Sequence, residues 1–80
     1  IDLMGLNQKQ QKALFIECKW KENVDPYEIL QVLKEKSKYV QWRQNGREEY
    51  FCLIAKSFTR RMGEKNVLLF DLKDLQKRRQ

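Results

Sequence analysis

The chain has no histidine, and its 80 residues include only one proline and two cysteines. The absence of histidine excludes Ser–His and Cys–His nucleophile pairs and every His-ligated zinc site. Any catalysis must therefore use carboxylates, lysines, tyrosines or a hard metal ion. Long apolar runs are also missing: the longest, Tyr50 to Ala55, is far too short to cross a membrane, and no charged-then-apolar signal segment opens the sequence. We therefore expect a cytoplasmic chain with no membrane partner.

The two cysteines, Cys18 and Cys52, each lie inside an apolar run and have no CxxC neighbour. This pattern predicts two buried free thiols rather than a metal or redox site. Free thiols are typical of a reducing compartment, which agrees with a cytoplasmic location.

Length and charge narrow the possible classes further. Eighty residues suffice for one domain, and a hydrophobic fraction of 41% is typical of a globular chain. The net charge of +6 suits a polyanionic partner such as nucleic acid, although a basic surface without such a partner fits the charge alone equally well. The chain opens at Ile1 directly in a strand-like pattern, so we expect it to be a piece of a longer polypeptide.

Two apolar segments at the start predict a β-hairpin. Residues 1–6 and 13–20 are separated by the polar cluster 7–12, which is typical of a hairpin loop. An antiparallel pairing across this loop puts Leu6 opposite Ala13 and Asp2 opposite Glu17.

The rest of the chain predicts a helix, two strands and a last helix. Asp25 as N-cap and Pro26 at the first helical position predict a helix from 26 to about 40. Its inward stripe is Ile29, Leu30, Leu33, Ser37 and Val40, and Lys34, Glu35, Lys36 and Lys38 face water. The unbroken apolar middle of 49–56 predicts a strand covered on both faces, joined to the previous strand by a parallel crossover. Residues 67–70 predict a short strand, and Asp71 caps a helix over 72–79.

The hairpin carries a possible metal site. Strand alternation puts Glu17 and Lys19 on one face, and the predicted register adds Asp2. Mg²⁺ usually takes one or two carboxylates with waters and substrate phosphate, and the backbone carbonyl of Cys18 could add a ligand. Lys19 would then activate water or offset phosphate charge. The plainer alternative is a solvated Glu–Lys ion pair worth less than about 1 kcal/mol.

This constellation resembles a known superfamily. Asp2, followed by Glu17-Cys18-Lys19, a capped helix and a buried strand, resembles the PD-(D/E)xK restriction-endonuclease-like proteins. The wider run IDLMGLN…KALFIECKW…VQW…REEYFCLIAKSFT…NVLLFDLKDL is similar to the nuclease-like C-terminal domain of archaeal AAA-type ATPases, a family of uncharacterised function.

The resemblance implies a fold, a site and partners. The fold would be a single α/β domain over residues 1–80, a truncated core with a mixed β-sheet and flanking helices. The superfamily's first helix and first strand would lie before Ile1. Asp2 and Glu17 would bind Mg²⁺ or Mn²⁺, and Lys19 would be the catalytic lysine. An ATPase domain of the same parent chain and nucleic acid, DNA above all, would be the partners.

Four further basic residues are candidates for the proposed function, and two other functions stay open. Arg60, Arg61, Lys77 and Arg78 are candidates for contacts with phosphates, or simply solvated charges. An exposed strand edge favours a homodimer. Two alternatives stay open: a catalytically inactive module of nuclease fold that docks nucleic acid or protein, and a purely structural, oligomerising domain.

Overall fold

A single mixed β-sheet with two helices forms the part of the chain that the computed structural model describes, residues 1–43 and 46–77. The elements are β1 (Leu3–Asn7), β2 (Lys12–Lys19), α1 (Pro26–Ser37), β3 (Glu48–Ala55), β4 (Val67–Phe70) and α2 (Leu72–Lys77). The strands follow the order β1-β2-β3-β4, with β1 antiparallel to β2 and the other pairs parallel. The predicted mixed α/β layout is confirmed. No helix among the described residues is long and apolar enough to cross a membrane.

The hairpin has the predicted register. Leu6 lies opposite Ala13, and the ladder continues to Leu3 opposite Ile16. Beyond Leu3 the pairing slips by one residue, because the backbone N–H of Asp2 donates to the carbonyl of Ile16 at 3.0 Å. The first two residues therefore lie against the end of β2 that carries Glu17.

Helix α1 begins where the sequence predicts and ends earlier. The Asp25 carboxylate accepts from the backbone N–H of Tyr27 at 3.0 Å, as an N-cap does. The helix stops at Ser37 instead of about Val40 because the next turns tighten, with the Val40 N–H donating to the Ser37 carbonyl at 3.1 Å. The Arg47 guanidinium donates hydrogen bonds to the carbonyls of both Ser37 and Val40.

The core lies between α1 and one face of the sheet. It is formed by Ala13, Phe15, Phe51 and Leu53 from β2 and β3 and by Ile29, Leu30 and Leu33 from α1. The rings of Phe15 and Phe51 stack with centroids 5.8 Å apart. The four predicted inward positions from Ile29 to Ser37 are buried, and Val40 is half-buried. This face of β2 continues directly to Glu17.

The segment that follows β3 holds the segment that leads into α1. The backbone N–H of Val24 donates to the Ser57 carbonyl at 3.0 Å, and the Thr59 N–H donates back to the Val24 carbonyl at 2.9 Å. The Ser57 hydroxyl also accepts from the N–H of Asn23 at 2.7 Å. The segment leading into α1 is thus held as a short parallel bridge to the segment after β3.

The opposite face of the sheet is only partly covered. Cys52 is buried there, but Tyr50 and Ile54 are half-buried and Leu68 is 54% exposed. Full coverage of β3 on both faces, as its apolar run predicts, is therefore wrong. The prediction of a buried thiol is confirmed for Cys52 and wrong for Cys18, which is exposed on this open face.

Candidate functional site

Glu17 is a buried carboxylate on an apolar face. Alternation along β2 puts it on the side of Ala13 and Phe15, under α1, and its side chain is 7% exposed. Its Oε1 atom is buried and accepts no hydrogen bond from any residue that the structure describes. Burying a charge without partners is strongly unfavourable, so nearby positive charge must compensate.

Two lysines supply that charge. Lys19 Nζ lies 4.0 Å from Glu17 Oε2, and Lys36 Nζ lies 3.8 Å from Oε1. Both lysines are about half exposed, so their ammonium groups lie between the carboxylate and solvent. The backbone nitrogen of Ile1 lies 3.4 Å from Oε1. The carboxylate is therefore balanced by charge rather than by directed hydrogen bonds.

Asp2 is hydrogen-bonded to the same stretch of β2. Its Oδ2 accepts from the backbone N–H of Cys18 at 2.6 Å, and that nitrogen belongs to the peptide bond after Glu17. The hairpin thus brings Asp2 to the strand end that carries Glu17 and Lys19. The backbone of Cys18 lies between them, while its side chain is exposed. Within residues 1–43 and 46–77, no group of three or more His, Cys, Asp or Glu side chains is arranged to hold a metal ion.

A cavity of about 180 Å³ opens between the end of β2 and α1. It is lined by Glu17, Lys19, Glu28, Ile29, Val32 and Lys36. Two carboxylates and two ammonium groups meet apolar carbon there, so the cavity presents both signs of charge to a small ligand. This is the chemistry expected for an anionic group bound together with a cation.

Two residues of this cavity were missed by sequence reasoning. Lys36 and Glu28 both come from α1, and Lys36 was predicted to face water. A signal was present: Lys36 lies seven residues after Ile29 and three after Leu33, which is the spacing of the buried stripe. A lysine at such a position reaches along the edge of the packed face, so the same reading could have found it.

The predicted phosphate-contacting residues lie elsewhere. Arg60 pairs with the N-cap Asp25 at 3.1 Å and lies 4.2 Å above the Tyr27 ring, so it supports the start of α1. Arg60 and Arg61 line a different cavity, of about 270 Å³. Lys77 is exposed at the end of α2, and Arg78 lies outside the described residues.

The second cavity also contains a reciprocal cap. The backbone N–H of Asp74 donates to Asp71 Oδ1 at 2.9 Å, and the Asp71 N–H donates to Asp74 Oδ2 at 3.0 Å. The hydrogen bond from the Asp74 backbone lowers the pKa of the Asp71 carboxyl, and the nearby charge of Arg61 adds to the effect. These aspartates are used to begin α2.

Fold and site together define a small α/β domain with a charged cavity beside a parallel βαβ unit. Residues 1–40, half of the chain, match the model of the DUF234 family, described as "Archaea bacterial proteins of unknown function". The chain belongs to this family.

One relative aligns with nearly the whole chain. It is "Uncharacterized protein MJECL04" of Methanocaldococcus jannaschii, 38% identical over 76 residues. The alignment covers 92% of this chain and 17% of that protein, so the chain spans about a sixth of its relative's length. No solved structure matches the chain.

Proposed function

We propose that the chain is part of a metal-dependent nuclease domain of the PD-(D/E)xK type, which hydrolyses phosphodiester bonds of nucleic acid. The observation that carries the proposal is the Glu17 carboxylate, which is buried at the cavity with one oxygen free of hydrogen bonds from the described residues. Lys19 lies beside it, and Asp2 is attached to the next residue of the strand.

The donor set suits a hard divalent cation. Glu17 Oε1 is an oxygen atom with unused acceptor capacity, and Mg²⁺ or Mn²⁺ prefers oxygen ligands from one or two carboxylates. Asp2 and Glu17 would hold the ion, and the backbone carbonyl of Cys18 would add a ligand. A bound ion would supply Lewis-acid activation of the phosphate and a water of lowered pKa.

The remaining steps belong to the side chains. Lys19, two residues after Glu17 on the same face, keeps its ammonium 4.0 Å from that carboxylate and half exposed. From there it can orient an attacking water and offset the charge that develops on the phosphate. The packing of α1 on β2 keeps water away from the inner side of Glu17. This strengthens the electrostatic interactions of its carboxylate with Lys19 and with a bound cation.

The partners follow from charge and resemblance. The net charge of +6 favours binding to a nucleic-acid backbone, DNA above all. The similarity to C-terminal domains of archaeal AAA-type ATPases supports an ATPase domain in the same parent chain and a cytoplasmic location. A homodimer through the open sheet edge of β1 remains part of the proposal.

A second candidate function rests on the charge balance at Glu17. Lys19, Lys36 and the backbone nitrogen of Ile1 already surround the carboxylate within 4.0 Å. Such a cluster can serve the fold alone. The chain would then be a catalytically inactive nuclease-fold module that docks nucleic acid or protein.

Nicking of supercoiled plasmid DNA with Mg²⁺ or Mn²⁺ separates the two candidates. We expect cleavage by the parent protein with the segment that precedes Ile1, and a loss of about 10²-fold or more in Glu17→Gln, Lys19→Met and Asp2→Asn. Glu22→Gln is the matched control, because Glu22 is exposed just beyond β2 and should leave the rate unchanged.

Three results would count against the nuclease. They are no cleavage, equal cleavage in all variants, or no heat of Mn²⁺ binding in calorimetry. Salt-sensitive DNA binding without cleavage would support the docking module instead.

A further inference from the structure

Lys36 reaches the candidate site from a different element than the other charged residues. Its Cα lies in the last turn of α1, whose packing on β2 is fixed by Ile29 and Leu33, 8% and 0% exposed. The ammonium lies 3.8 Å from Glu17 Oε1 and lines the same cavity as Lys19. The core therefore sets the position of the Lys36 backbone, and the half-exposed side chain reaches the cavity from there.

The contacts of Lys36 differ from those of another lysine on α1. Lys34 hydrogen-bonds Glu64 at 3.1 Å, as surface ion pairs do. Lys36, in contrast, is close to Glu17 but donates no hydrogen bond to it or to any other described residue. Its three N–H donors stay available at the cavity, and those of Lys19 are equally unused by the residues described.

The charges around the cavity indicate what these donors can bind. Glu17 and Glu28 carry two formal negative charges at the cavity, and Lys19 and Lys36 carry two positive ones, so the lining is formally neutral. The two ammonium groups can donate hydrogen bonds to the anionic oxygens of a phosphate group.

We propose that Lys36 is a phosphate-binding residue of this site, which contacts a non-bridging oxygen of the phosphodiester together with Lys19. This inference rests on the proposed nuclease function and adds a residue that binds the phosphate. The carboxylate of Glu17 lies between the two ammonium groups, so the cation that it binds and the phosphate that the lysines bind would be neighbours. A direct contact of this kind adds one to the number of DNA phosphates whose charge the protein neutralises.

The salt dependence of DNA binding measures the number of phosphates that the protein neutralises. We compare a fluorescein-labelled DNA duplex binding to the full chain, Lys36→Met, Lys36→Arg and the matched control Lys34→Met, in EDTA so that no cleavage occurs. Each lost phosphate contact lowers the slope of log K against log salt by about 0.9, which corresponds to about eightfold weaker binding at 0.1 M salt. We expect this change in Lys36→Met, recovery in Lys36→Arg and no change in Lys34→Met.

The outcomes separate this inference from the nuclease proposal. A Lys36→Met slope equal to that of the unmodified chain overturns the role of Lys36, whether or not plasmid is cleaved. A reduced slope supports it even where no cleavage is seen, in which case the nuclease proposal alone fails. Urea unfolding of each variant shows that it is folded, and a role as mere counter-ion of Glu17 would change that unfolding and leave the slope unchanged.

Discussion

Replacement of Arg47 by methionine removes a buried guanidinium that joins the end of α1 to β3. The Arg47 side chain is 3% exposed. Nη1 donates to the carbonyls of Val40 and Trp42 at 2.8 and 2.7 Å, and Nη2 donates to the carbonyl of Ser37 at 2.8 Å. Nε and Nη2 both donate to Glu49 Oε2, at 2.9 and 2.7 Å.

The expected loss of stability depends on the carbonyls and the carboxylate that lose their hydrogen-bond donor. Hydrogen bonds to charged groups are worth about 1.5–3 kcal/mol each but do not add, and breaking a buried ion pair by removing one partner costs about 3–5 kcal/mol. Methionine keeps an apolar stem that can pack near Phe15, whose ring lies 5.3 Å from the guanidinium carbon. We therefore expect Arg47→Met to lower the free energy of unfolding by about 3 kcal/mol, a large part of the roughly 4–12 kcal/mol of a domain this size.

Urea unfolding followed by tryptophan fluorescence measures the effect. Arg43→Met is the matched control, because the Arg43 side chain is exposed and lies over the Trp42 ring, while its hydrogen bond with the Arg47 N–H is made by the backbone carbonyl. Its loss should stay within about 0.5 kcal/mol. A loss below about 1 kcal/mol for Arg47→Met would refute the reasoning, since the three carbonyls would then be satisfied equally well without the guanidinium.

Two more measurements test burial and electrostatics. Burial raises the pKa of the Cys52 thiol, while Cys18 is exposed, so iodoacetamide should alkylate Cys18 first and Cys52 only after unfolding; equal rates in peptide mass spectrometry would contradict this. The pKa of Asp71 is lowered from its ordinary value of 3.8, so its stabilising contribution is complete above that value and is lost as the pH falls through the folded-state pKa. Asp71→Asn should therefore lower Tm more at about pH 6 than at about pH 3, and an equal difference at both would be inconsistent with the cap.

Local patterns predicted the hairpin and the helix start well because neighbouring residues determine them. The polar loop and the apolar alternation set Leu6 opposite Ala13, and the Asp25-Pro26 pair started α1. The end of α1 was predicted too far along the chain because it depends on Arg47, a residue from another segment. The Arg47 guanidinium donates hydrogen bonds to the carbonyls of Ser37 and Val40. Such distant partners leave no trace in the helical periodicity.

The residues of the candidate cavity were predicted in part for the same reason. Glu17 and Lys19 follow from alternation along one strand, and their placement at one cavity agrees with the structure. Lys36 lies at the spacing of the buried stripe of α1, and it was missed because a lysine was assigned to the water-facing side of the helix. The exposure of Cys18 was missed because an apolar run does not reveal which face of the sheet stays uncovered.

Helix α1 is secured at both ends by the flanks of one strand. Ser57, just after β3, bonds the segment that leads into the helix, and Arg47, just before β3, bonds the carbonyls at its far end. A substitution that loosens either attachment therefore lets the helix, and with it the ammonium of Lys36, shift relative to Glu17 on β2. Substitutions at either flank can thus alter the spacing of the charged cavity without touching it.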